Sequence, residues 1–293
     1  VTILEVIQRS ADFLAKKGVG SPRLQVELFL AHVLKMPRLK LYLEFERVLT
    51  EQEVETLREL VRRRGQREPL QHILGSTSFC GLEMIVTRHV LVPRPETELL
   101  AERAWKFLSQ IPAEHEPRAL DLGTGSGCIA IALAAHASAA RIDAVDLSGD
   151  ALSTARQNVS KHLLTERIRL HQGDGFSALD PRSRYDLVVS NPPYIPTAEI
   201  QTLEPEVRDF DPSMALDGGA DGMDFYRRIA SGAAAFLRPG GMVMLELNDH
   251  GADNVAKIFQ RARWKVESVE KDYNEFTRIF IARPAAQSHD VPA

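Results

Sequence analysis

A change of hydrophobic period at Pro93 limits what this chain can fold into more than any other feature. Beyond it, short apolar runs at residues 119–122, 142–146, 168–171, 187–190 and 242–247 alternate with helical stretches such as 129–136 and 151–162. Strands separated by a helix length cannot be joined as tight hairpins. They need crossovers, and so predict a mostly parallel sheet covered by helices on both faces. Two further β-rich runs, 265–269 and 277–282, lie too close together for a crossover helix and are expected to pair antiparallel at one edge.

Before Pro93 the pattern is helical. Ile3, Ile7, Ala11 and Leu14 share one helical face, and Leu24, Leu28 and Ala31 share another in a segment that Ser21 and Pro22 would open as N-cap and first residue. Thr50 and Glu53 have capping-box spacing, Val54, Leu57 and Val61 form the stripe that follows, and Gly65 is the expected stop. The reading is a helical bundle over 1–74, a hairpin linker over 75–92, a catalytic α/β domain over 93–283, and a tail over 284–293. The helical part has its own apolar stripes and none of the strand-end motifs of the α/β part, so its expected work is docking a substrate.

Charge and cysteine content narrow the class. Residues 1–74 hold 13 Lys and Arg against 10 Asp and Glu, and the rest 23 against 30. Arg62, Arg63, Arg64 and Arg67 concentrate the basic excess, either as a solvated helix end or as a contact for an acidic protein surface or RNA. No apolar run approaches the roughly 20 residues of a membrane span, and the first residues lack a secretory pattern. The cytoplasm is therefore the expected location, with no membrane partner. Cys80 and Cys128 are isolated, so neither a disulfide framework nor a metal site is expected.

The candidate chemistry lies at predicted strand ends. Asp121-Leu122-Gly123-Thr124-Gly125-Ser126-Gly127 falls where the first strand of the sheet turns into its helix, a place for close backbone approach to a ligand. A dinucleotide fingerprint would need glycine where Cys128 stands, which argues against NAD. Asp146 ends the second strand and is placed to accept from ribose hydroxyls. After the third, Gly173-Asp174-Gly175-Phe176 offers a carboxylate for an adenine amino group and a ring beside it.

The fourth strand ends in Asn191-Pro192-Pro193-Tyr194, which cannot continue a sheet because proline has no N–H to donate. The Asn191 carboxamide oxygen and the Pro192 carbonyl can both accept from one NH₂ group, with Tyr194 stacked on the plane that carries it. This suits methyl transfer to an amide or amine nitrogen. A sulfonium cofactor supplies the electrophile, and acceptors on both N–H bonds stabilise the charge that grows on nitrogen.

These motifs, with Val92-Pro93-Arg94-Pro95-Glu96-Thr97-Glu98, Gln71 to Gly75 and Glu204 to Tyr226, resemble the release factor glutamine methyltransferase family over nearly the whole chain. The resemblance implies a Rossmann-like S-adenosylmethionine-dependent methyltransferase sheet with S-adenosyl-L-homocysteine as product. Peptide chain release factors would be the partner, and the N5 nitrogen of the glutamine in their Gly-Gly-Gln motif the target. It also implies that Arg94 to Thr97 closes over the cofactor. The chain departs from the family's usual pattern at Gly175, where an aromatic is common, at Asn248 and at Arg278-Ile279. The rival readings are a nucleic-acid amino methyltransferase, which the acidic catalytic part disfavours, and a non-catalytic binding module.

Overall fold

The computed structural model describes residues 1–249 and 251–285. The chain divides by its packing into two units: Val1–Ser76 together with Glu204–Phe210, and Thr77–Leu203 with the chain from Asp211 onward. Of the tail expected over 284–293, only Pro284 and Ala285 lie among the described residues.

In the first unit, α1 (Ile3–Lys16), α2 (Pro22–Leu34), α3 (Arg38–Leu41), α4 (Glu51–Gly65) and α5 (Leu70–Leu74) surround one core. Both α1 and α4 open with complete capping boxes, Thr2 with Glu5 and Thr50 with Glu53, which satisfy backbone donors that the first turn leaves free. Three expectations need correction. Ser21 and Pro22 do stand at the N-cap and first position of α2, but Ser21 takes φ 46° and makes no side-chain cap. The buried face of α2 is Val26, Phe29 and Leu30, while Leu24 is exposed. The polar residues of that helix, Arg23, Gln25, Glu27 and His32, are spread round it and Glu27 is buried, so spacing alone could not choose its face. Gly65 does end α4, but as its last residue and not as a left-handed cap beyond it, and a Cβ there would sit 2.7 Å from the Phe13 ring. Its lack of a side chain lets α1 approach.

The basic cluster is largely neutralised inside this unit. Arg64 is buried and donates to Gln25 at 2.6 Å and Glu206 at 2.7 Å; Arg67 binds Glu206 and, at 3.0 Å, Glu204; Arg63 binds Glu68. Arg63, Arg64 and Arg67 therefore do not form a solvated patch, whereas Arg62 stays exposed at the helix end and pairs with Glu59. The main acceptor of Arg64 and Arg67, Glu206, comes from a distant segment of the chain, which a local count of charge cannot see.

The second unit begins with a hairpin, β1 (Ser76–Phe79) and β2 (Leu82–Ile85), turned by Cys80 and Gly81, both at positive φ. The hairpin is part of this unit: Asn158 holds the backbone of Ile85 from both sides, at 2.6 and 3.0 Å, and also donates to Ser126 O at 2.9 Å. Val86, Val90 and Val92 continue as coil packed on Ala151.

There follow α6 (Pro95–Leu108), β3 (Arg118–Leu122), α7 (Cys128–His136), β4 (Arg141–Asp146), α8 (Gly149–Lys161), β5 (Ile168–Gln172) and β6 (Tyr185–Ser190). The chain then passes through α9 (Pro205–Arg208), which packs in the helical unit, and on to α10 (Asp224–Gly232), β7 (Leu237–Glu246), α11 (Ala252–Arg261), β8 (Trp264–Lys271) and β9 (Thr277–Pro284). The sheet order is β5-β4-β3-β6-β7-β9-β8. Strands β3 to β7 run parallel, and β9 runs antiparallel to both neighbours. Alternate residues serve opposite cores: Ala119 faces α6 and α7, while Leu120 and Leu122 face α10 and α11. Because β3 connects outward to β4 and then β6 returns on its other side, the chain reverses direction between β3 and β6. A crevice opens at such a point beyond the strands' carboxyl ends.

Candidate active site

A cavity of about 220 Å³ occupies that crevice, lined by residues following β3, β4, β5 and β6 and by one face of α10. Its floor is the glycine loop. Gly123, Gly125 and Gly127 all have positive φ (72°, 55° and 81°), but a Cβ would meet nothing within 4 Å at the first two and would lie 3.3 Å from Ala155 of α8 at the third. Gly123 and Gly125 thus open onto the cavity, whereas Gly127 lets α7 pack on α8. Asp121, Thr124 and Ser126 are buried and stand behind the loop. The Asp121 carboxylate accepts from Thr124 Oγ1 at 2.6 Å and from Ala130 N at 3.2 Å, tying strand, loop and helix together. Burial raises its pKa to about 7, against the pull of those hydrogen bonds.

Asp146 lines the cavity with both oxygens anchored: Oδ2 accepts from Gly125 N at 2.8 Å and Oδ1 from Ser148 N at 2.9 Å. Each carboxylate oxygen has a second lone pair, so the group remains able to accept from a vicinal diol. Asp174, Gly175 and Phe176 also reach the cavity. The Phe176 ring stacks on Phe236 with centroids 5.1 Å apart and fits over Gly232, where a Cβ would come within 2.7 Å of it. Asp174 is exposed and forms an ion pair with Arg228 of α10, a cavity residue absent from the sequence reading.

At the other end, Asn191 and Pro193 line the cavity; Pro192 and Tyr194 do not. Pro192 is buried, and Tyr194 packs against the core on the α10 side, where burial raises the pKa of its hydroxyl and keeps it neutral. The Asp217-Gly218-Gly219-Ala220-Asp221-Gly222 loop seats this turn: a Cβ on Gly218 would lie 2.9 Å from Pro193 O, and one on Gly222 would lie 2.4 Å from Tyr194 O. Three glycines in five residues were the available signal for that contact.

Arg94 and Thr97 do not line the cavity. Arg94 precedes α6 and binds the buried Asp211 at 2.6 Å. Burial lifts the pKa of Asp211 to about 6 in spite of that cation. Thr97, in the first turn of α6, accepts from Asn191 Nδ2 at 3.1 Å and donates to Glu246 Oε2 at 2.7 Å. Glu246, at the end of β7, is buried. Desolvation raises its pKa to about 7, with the Thr97 hydrogen bond and Arg278 pulling it down.

A glycine cradle below, an acidic diol acceptor on the next strand, stacked aromatics beyond it and a carboxamide at the far end fit the nucleoside and sulfonium ends of S-adenosylmethionine. Together with the seven-stranded order these features define a Rossmann-like, S-adenosylmethionine-dependent methyltransferase. The models for the PrmC N-terminal domain and the methyltransferase small domain match residues 5–75 and 103–204. The release factor glutamine methyltransferase of Geobacter sulfurreducens is 42% identical over 282 residues, covering 96% of each chain, and that of Chlorobaculum tepidum is 43% identical, covering 94% of this chain and 95% of its own. This chain belongs to the release factor glutamine methyltransferase family. Its fold is shared more distantly with a methyltransferase from Pyrococcus furiosus, at a TM-score of 0.51 and 18% identity over 70% of this chain and 90% of that one.

Proposed function

We propose that this enzyme methylates the side-chain amide nitrogen of the glutamine in the Gly-Gly-Gln motif of peptide chain release factors. The observation that carries the reading is the orientation of Asn191: with its NH₂ group donated to Thr97, its Oδ1 is the atom left to accept at the cavity. The bound cofactor supplies an electrophilic methyl group. An amide nitrogen is a weak nucleophile because its lone pair is delocalised. The acceptor at Asn191 Oδ1 holds one N–H bond, helps to set the nitrogen in line for attack, and stabilises the positive charge that develops on it; Pro192, expected to supply the second acceptor, does not line the cavity. The extra proton leaves afterwards, so no histidine base is needed.

Asp146, the glycine loop and Phe176 would hold the nucleoside end of the cofactor, with Asp174 at its edge beside Arg228. Tyr194, packed on the core behind the turn and away from the cavity lining, supports the turn rather than stacking on the substrate's amide. Relatives that carry the release factor name support the choice of a protein substrate, as does an acidic catalytic part, which disfavours a nucleic acid. Such a substrate is met in the cytoplasm; among the described residues no helix is long and apolar enough to cross a membrane.

The test is incubation of the full chain with labelled S-adenosylmethionine and either a release factor or RNA, followed by mass spectrometry of the product. One methyl group on the Gly-Gly-Gln glutamine is the expected result. Label in RNA alone would favour the nucleic-acid reading, and label in neither the binding module.

A further inference from the structure

We infer that Thr97 and Glu246 lock the orientation of the Asn191 carboxamide, making Thr97 a positioning residue for the substrate turn and Glu246 the group that sets the direction of the hydrogen bonds. The inference rests on the function proposed above and adds to it a residue pair and a regulation. A hydroxyl has one proton. When the Glu246 carboxylate takes it, at 2.7 Å, Thr97 Oγ1 can only accept from its other side. Asn191 must then present its NH₂ group, at 3.1 Å, and its oxygen is turned towards the target nitrogen. The three groups come from α6, the turn after β6, and β7, and both Thr97 and Glu246 are buried, so water cannot replace either link cheaply.

Protonation of Glu246 undoes the lock. A neutral carboxyl can donate to Thr97, which frees the threonine proton for Asn191 and permits the opposite amide orientation, with NH₂ facing the cavity and no acceptor for the substrate. The groups acting on Glu246 are Arg278 from β9, Arg94 and Glu96 at the start of α6, the neutral Tyr194, and Tyr226 of α10, whose hydroxyl donates to the Glu246 backbone carbonyl at 2.7 Å. With its pKa near 7, the carboxyl crosses between the two states around neutrality. Turnover should rise with pH through that range.

The experiment uses the full chain and a release factor at saturating S-adenosylmethionine, from about pH 5.5 to 8.5, a range that brackets the titration. Thr97→Val should lower kcat roughly 10- to 100-fold, the scale of a misplaced catalytic contact. Cofactor Kd should move less than about twofold, and Thr97→Ser should recover most of the loss. Glu246→Gln should flatten the pH profile, because its amide has no proton to gain or lose. In protein labelled with ¹⁵N at asparagine, the Asn191 side-chain amide resonances should shift with pH through neutrality in wild type and stay constant in Glu246→Gln. This last readout needs no substrate and does not depend on Thr97→Val folding.

If wild type leaves the glutamine unmodified, the proposed function fails while the amide resonances still test the lock. The lock is overturned by wild-type kcat in Thr97→Val, by a loss confined to cofactor affinity, or by amide resonances that respond to pH alike in wild type and Glu246→Gln.

Discussion

Asp146 and Asn191 each hold the protein with part of a side chain and line the cavity. The Asp146 carboxylate orders the glycine loop through Gly125 N and the next helix start through Ser148 N, and we propose that its remaining lone pairs accept from the ribose. Asp146→Ala should weaken S-adenosylmethionine binding by about 1.5–3 kcal/mol, the worth of hydrogen bonds to a charged group. Unchanged affinity by calorimetry in a folded variant would remove it from the cofactor site. Asn191→Ala should leave that affinity alone and lower turnover by roughly 10²–10³, as for loss of a preorganised acceptor. Asn191→Asp is the sharper variant. A carboxylate cannot donate to Thr97, whose own proton is committed to Glu246, so aspartate should do no better than alanine above pH 7. If aspartate clearly exceeds alanine there, the acceptor alone matters and the Thr97 contact does not.

Glu246 also has a stability consequence. Its pKa is raised from 4.5 to about 7, so the folded state binds its proton more tightly than the unfolded chain does. This contribution is fully present below about pH 4.5 and is lost as pH rises to about 7. Relative to wild type, Glu246→Gln should therefore gain about 3 kcal/mol of unfolding free energy between those limits, at 1.36 kcal/mol per unit. Urea unfolding at both ends of the range measures it. A difference that does not change with pH would mean that Glu246 titrates normally.

At the scale of elements, α4 sets two local rules against a packing constraint. Its capping box ties down the first turn, and Thr50→Ala should cost about 1 kcal/mol. Gly65 in its last turn is a poor helix former, and alanine there would favour the helix by at most about 1 kcal/mol. The added Cβ, 2.7 Å from the Phe13 ring, must push α1 away, at a cost of roughly 1–3 kcal/mol. Gly65→Ala should therefore destabilise, and a higher melting temperature would show that Phe13 moves aside freely. The glycine loop after β3 divides in the same manner. Gly123 and Gly125 face open space, so methyl groups there would strain the backbone and intrude on the ligand, whereas at Gly127 they would strain the α7–α8 contact.

At the scale of the whole molecule, each unit has its own core, and the motifs of the cofactor site all lie in the second. Removal of residues 1–76 should leave cofactor affinity within a few-fold and lower turnover on an intact release factor by at least about tenfold, as for loss of a docking surface. The segment Glu204–Phe210 belongs by its contacts to the helical unit, where Glu206 binds Arg64 and Arg67. The truncated variant should therefore carry a short glycine-serine linker in its place. Equal kinetics of truncated and full chains on the release factor would exclude a docking role for the helices.

Strand period, capping boxes and strand-end motifs are properties of neighbours in the chain, and for that reason the parallel sheet, the antiparallel edge pair and the cofactor class could be read from sequence. Asp146 and Asn191 were legible because a strand's last residue must emerge at the sheet's carboxyl edge whatever lies beside it. The face that each motif residue shows was not legible: Asp121, Thr124 and Ser126 turned inward while Gly123 and Gly125 opened to the cavity. The partners that the tertiary structure supplies were hidden as well. Thr97 meets Asn191 and Glu246, Asp174 meets Arg228, and Arg64 meets Glu206, each across more than 50 residues. Such pairs depend on strand order and on how the helices pack. Local periodicity determines that strands exist and which way they run, but only burial of the two sheet faces decides which strands become neighbours.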